Sequence, residues 1–234
     1  MRLYITPELC INISSSNSKL GTSILSFSTP SIITCPRNVP CYKGCYAASL
    51  EHLRPNLHNS LTNNLETFLH HTEEVKQKLA SFINLLGCYM FRFNVEGDVE
   101  VDASRPYLYI DLIIEVARKC KQTEFLVYSK SDKWNGLKRL PKNLHVVLSN
   151  WGDWTVPNYD NFPTSNILKE GESREGKRIC PAQLCTNHEI TCETCKICWR
   201  LQKGDCIWFI PHGRNKKKVW KLHAFCQILH VKIK

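Results

Sequence analysis

Two groups of cysteines hold most of the chemistry this sequence can offer. The first, in TCPRNVPCYKGCYA (34–47), places Cys35, Cys41 and Cys45 within eleven positions, with Pro36, Pro40 and Gly44 as turn formers. Three thiolates on one loop suit a cubane iron–sulfur cluster, since a three-ligand site leaves one iron open to a substrate or cofactor. A structural zinc ion would want a fourth protein ligand. Cys88 precedes the strand expected at 89–95 and so belongs at the opposite end. The second group is Cys180, Cys185, Cys192, Cys195, Cys198 and Cys206. Cys192, Cys195 and Cys198 repeat a C-x-x-C step with the spacing of ferredoxin-type loops, and Cys180 is followed by Pro181. A C-x-x-C pair signals metal without choosing between iron–sulfur and zinc. Four ligands suffice, so Cys180, Cys192, Cys195 and Cys198 are the expected set, with Cys185 and Cys206 as substitutes. A loop-rich segment of this size cannot build a core, and metal binding would fold it.

Composition favours metal over disulfides. The cysteines number thirteen, and an odd count cannot pair fully within one chain. The start, MRLYITPELCINISSSNSK, has neither a continuous apolar run nor a small-residue cleavage site, so a secretory signal is not expected. The expected compartment is the cytoplasm, where thiols stay reduced. Cys10, Cys88, Cys120 and Cys226 stand alone and read as small buried hydrophobes. No window approaches the length of a membrane-spanning helix. No G-x-S-x-G or comparable nucleophile motif points to a hydrolase. The net charge of +10 favours polyanionic partners. In GRNKKK, Arg214, Lys216, Lys217 and Lys218 are candidate phosphate contacts, with Trp208 or Trp220 available for base stacking. The plainer reading of that run is a solvated loop.

The elements that must position these groups alternate along the chain. An irregular segment (1–22) precedes a strand at 23–28, the cysteine loop, and a helical stretch at 47–53. Apolar residues from Leu57 to Leu86, at steps of three and four, predict one long helix closed by Gly87. Strands at 89–95, 124–131 and 144–150, with a helix at 107–120 and a helical turn at 132–137, complete an α/β core over 23–151. That alternation signals a parallel sheet with crossover helices. A loop or linker (152–179) leads to a cysteine-rich, metal-binding C-terminal segment (180–234), with a strand at 206–211.

Ligands of parallel α/β sheets gather where the strands' carboxyl ends and their loops converge. Here that rim should collect the three-cysteine loop, Gly97 and Asp98, Ser129 and Lys130, and Ser149, Asn150 and Asp153.

The succession SFSTPSIITCPRNVPCYKGCYA, FRFNVEGDVE, FLVYSKS, LPKNLHVVLSNWGD, ICPAQL, CETCKICW and WFIPHG resembles the bacteriophage gene product 88 family. That family in turn resembles radical S-adenosylmethionine enzymes in layout. The resemblance implies a truncated parallel (β/α) partial barrel of four or five strands, with Cys35, Cys41 and Cys45 holding a [4Fe-4S] cluster. It implies that Asp98 engages the methionine amino group, and that Gly97, Ser129, Lys130 and Ser149 line an S-adenosylmethionine pocket. The later cysteines would hold an auxiliary [4Fe-4S] cluster or zinc. The expected function is an iron–sulfur enzyme of that type, served by an electron donor in the host cytoplasm and acting on a macromolecule such as nucleic acid. The alternative is a metal-stabilised nucleic-acid-binding protein without catalysis.

Overall fold

The structure, a computed structural model, describes residues 1–15, 17–185 and 189–211. Six strands form one all-parallel sheet in sequential order: β3 (Leu25–Phe27), β4 (Met90–Phe93), β5 (Glu124–Ser129), β6 (Leu144–Ser149), β7 (Thr164–Ile167) and β8 (Cys206–Phe209). The sheet is open, an arrangement compatible with a partial barrel, and it has more than the expected four or five strands. The additional strand, β7, lies in the stretch expected to be a linker. Its sequence, TSNI, lacks the apolar run that marks a buried strand, yet it pairs with both β6 and β8.

Side chains alternate across each strand, and the two faces have different covers. The parallel register aligns Leu25, Phe91, Phe125 and Leu144 in one row, and Phe27, Phe93, Val127 and Val146 in the next. Both rows join a core covered by three helices, α2 (Pro55–His70), α3 (Thr72–Leu85) and α4 (Leu108–Lys119). Phe68 and Tyr109 meet edge to face at 5.4 Å within it. Each such fully buried ring contributes about 1.5–3 kcal/mol relative to exposure.

The opposite face carries Met90, Leu126, Val147 and Ile207. It is covered by the cysteine-rich segment, which contains α5 (Pro181–Leu184), α6 (Cys192–Cys195) and a 3-10 turn at Ile197–Arg200. Trp199 and Leu201 seal this layer with Leu20 and Ile24, and Trp199 Nε1 donates to Glu124 O at 3.3 Å. The segment is thus the second layer of the fold.

Two expectations change. The single long helix is two, divided at His71 (φ −130°, ψ 48°), where the Thr72 hydroxyl donates back to Phe68 O at 2.8 Å. Thr hydroxyls compete in this way with the helical backbone. Gly87 does end the second helix, at φ +57°. The N-terminal segment is ordered as an antiparallel pair, β1 (Arg2–Tyr4) and β2 (Cys10–Asn12), and backbone bonds between Ser14 and Ser26 tie it to β3. Asn64, 1% exposed, holds this hairpin to α2: its amide accepts from Asn12 N at 2.6 Å and donates to Asn12 O and Ser28 O. Among the described residues, no helix is long and apolar enough to cross a membrane.

Candidate metal centres

The first centre lies at the carboxyl rim of β3, β4 and β5. After β3 the chain turns through Thr29–Thr34. The Thr34 hydroxyl donates to Pro30 O at 2.6 Å and accepts from Asp98 N at 3.1 Å, while Thr34 O accepts from Glu100 N at 2.9 Å. These bonds stitch the loop after β3 to the loop after β4. Gly97, at φ +74°, makes the approach possible: a Cβ there would stand 2.5 Å from Thr29 O and 2.7 Å from the Thr34 hydroxyl. Cys41 sits in a 3-10 turn (Pro40–Gly44), and Cys45 caps α1 (Tyr46–Leu53), its Sγ accepting from Ala48 N at 3.4 Å.

Cys35, Cys41, Cys45, Asp98 and Lys130 act on one another electrostatically. Burial pushes the Cys35 thiol far up, and Asp98, Cys41 and Cys45 push it further. Burial also raises Cys41, against the opposing charge of Lys130. The Lys130 ammonium donates to Ser149 Oγ at 2.7 Å and lies 5.8 Å from the Trp151 ring centre. Asp98 is 3% exposed and well bonded: it accepts from Ser129 Oγ at 2.5 Å, Lys130 N at 2.7 Å and Val99 N at 2.8 Å. Burial raises its carboxyl to about 6 despite these donors. Asp98 therefore braces β4 to β5 from within, and Gly97 serves that packing.

The second centre lies on the covered face of the sheet. Cys180, Cys192, Cys195 and Cys198 line one small void with Ile197, Trp199 and Ile207. Cys185 and Cys206 do not line it; Cys206 opens β8, beside Thr164. Burial raises the Cys180, Cys192 and Cys198 thiols, the last to about 12, and each also lies in the field of another cysteine of this set. The segment is pinned in place by Cys192 N and Glu193 N, which donate to Lys19 O and Leu20 O. The Glu193 carboxylate accepts in return from Thr22 N at 2.9 Å and Ser23 N at 3.3 Å.

The donor sets fit metal in composition. Thiols gathered in buried groups resist ionisation, and a coordinated cation is what removes such protons. Among the described residues, no three or more His, Cys, Asp and Glu side chains already stand in position to hold a single metal ion. No cysteine among the described residues is in a disulfide. The basic run with Arg214, Lys216, Lys217 and Lys218, together with Trp220, His212 and Cys226, lies outside the described residues.

Sequence reasoning missed two neighbours of these centres. The Tyr128 hydroxyl is buried without a hydrogen-bond partner and lies in the field of Cys198. Tyr128 stands on the face of β5 that the cysteine-rich segment covers, a relation legible from strand alternation once the segment's docking is known. The Gly21–Glu193 contact, where a Cβ on Gly21 would collide with the carboxylate, joins residues far apart in sequence and left no local signal.

A search of curated proteins finds no significant match, and neither does a search of solved structures. A family model described as Gene product 88 matches residues 11–221. With most of its length matched, the chain belongs to the gene product 88 family.

Proposed function

We propose that this protein is an iron–sulfur protein with two thiolate centres, the first an open-site centre that serves S-adenosylmethionine-type radical chemistry. The observation that carries the reading is the meeting of Cys35, Cys41 and Cys45 with Asp98 and Lys130 at the carboxyl rim of a parallel sheet. Cys35, Cys41 and Cys45 would hold a [4Fe-4S] cluster, which would supply one-electron chemistry there. The chain's own contribution is positional and electrostatic. Lys130, fixed by Ser149, places a positive charge in the field of Cys41, where it would pair with a ligand's carboxylate. Asp98 fixes Ser129 and the Lys130 backbone, and so sets where that ammonium stands.

The second centre, of Cys180, Cys192, Cys195 and Cys198, has the full complement of ligands for a closed four-thiolate site, cluster or zinc. Its metal would hold the cysteine-rich layer on the sheet. Electron paramagnetic resonance on anaerobically prepared, dithionite-reduced protein tests the reading. Adding S-adenosylmethionine should change the signal of the first centre and yield 5′-deoxyadenosine. An unchanged signal with no cleavage product would reject the radical reading and leave a metal-stabilised binding protein.

A further inference from the structure

A cleft of about 390 Å³ opens behind the first cysteine loop, walled by Ser31, Ile32, Ala48, Glu51, Pro55 and His58. At its base Glu51, only 6% exposed, accepts from Ser31 N at 2.9 Å and from the Ser31 hydroxyl. Its other oxygen lies 3.2 Å from His58 Nδ1. An ionised carboxylate only accepts hydrogen bonds, so Nδ1 is the donor of this pair, and wherever the ring carries a single proton Nε2 presents a lone pair. The His58 side chain is 54% exposed, so a ligand can reach that nitrogen.

The backbone at this cleft is strained. Ile32, a β-branched residue, stands at φ +70°. Such conformations are costly for a branched side chain and concentrate at ligand sites. Here the strain is held by the Ser31–Glu51 bonds on one side and by Cys35 N, which donates to Ile32 O at 3.2 Å, on the other.

Ser31 N and its hydroxyl are committed to Glu51, so the ring nitrogens of His58 and of His52 on the same wall are left for a ligand. The Glu51 carboxylate places its negative charge on the cleft itself. Ile32, Ala48 and Pro55 supply an apolar wall. We propose that this cleft binds a small amine, whose N–H donates to His58 Nε2 and whose apolar body lies against Ile32, Ala48 and Pro55. No cysteine side chain lines the site, so it stands whether or not the neighbouring loop carries metal.

Calorimetric titration of the full chain with benzylamine, benzyl alcohol and benzoate, at about pH 8 where a histidine ring is ordinarily neutral, tests this. Benzylamine should bind most tightly and benzoate about tenfold more weakly or worse. His58→Ala, at a half-exposed side chain, should keep the fold and weaken benzylamine about tenfold, the worth of a hydrogen bond to a charged group. Absence of benzylamine binding, benzoate binding as tightly as benzylamine, or unchanged affinity in His58→Ala would overturn the proposal.

Discussion

Tyr128 near the carboxyl end of β5 and Lys130 in the loop just beyond it stand two residues apart, the first in the field of Cys198 and the second in the field of Cys41. The end of β5 and the residue after it thus place one side chain in the field of each cysteine centre. Tyr128→Phe should alter the spectrum of the second centre alone, and Lys130→Met that of the first alone. Loss of both signals in either variant would mean that the centres are not separately held.

Gly97→Ala should destabilise the protein by more than about 2 kcal/mol, because left-handed backbone and backbone collision act together there. The Cβ would meet Thr29 O at 2.5 Å, and neither loop can retreat without breaking the Thr34 bonds. Denaturant titration reads this directly. A change within about 0.5 kcal/mol, the range of an ordinary surface substitution, would show the two loops to be less closely apposed.

Asp98 gives a pH signature. Burial lifts its carboxyl to about 6 in the fold, from an ordinary 3.8. The folded chain thus holds this proton more tightly than the unfolded one. The associated stability is complete below about pH 4 and lost as pH rises through about 6. A shift of this size corresponds to about 3 kcal/mol. Metal-free wild-type protein should lose roughly that much stability relative to Asp98→Asn between about pH 4 and 7. Parallel stability curves for the two chains would place Asp98 in water.

The six C-terminal cysteines should divide four to two. Cys180→Ser, Cys192→Ser, Cys195→Ser or Cys198→Ser should each lower the metal content of the second centre and loosen the layer around Trp199. Cys185→Ser and Cys206→Ser should leave the metal in place, since neither side chain lines the shared void. Metal analysis with limited proteolysis of the segment separates the two classes. Metal loss in Cys206→Ser would require a different ligand set.

Much of this was legible in sequence because the signals were local. Strands β4, β5 and β6 read as near-continuous apolar runs, the mark of strands covered on both faces, and each lies within its expected range. The C-x-x-C-x-x-C spacing picked out the cysteines that share a void. What escaped depends on distant partners. The three-residue strands β1 and β2 are too short to show alternation, and β7 is polar because its pairing with β6 and β8, rather than apolar burial, holds it. Asp98 was legible as a rim residue, but its commitment to Ser129 and Lys130 was not, because those donors arrive from the next strand. Glu51 and His58 sit on helices where a charged residue normally reads as solvated. Only the turn at Ser31–Ile32 gives them a cleft.

Iron and acid-labile sulfide counted on anaerobically purified protein, with Cys41→Ser and Cys195→Ser alongside, test the central claim most directly. The wild type should be brown, with about four iron and four sulfide that depend on Cys41, the content of one cubane. Cys195→Ser should retain them while losing the metal of the second centre. A colourless wild-type protein carrying stoichiometric zinc and no sulfide would contradict the account.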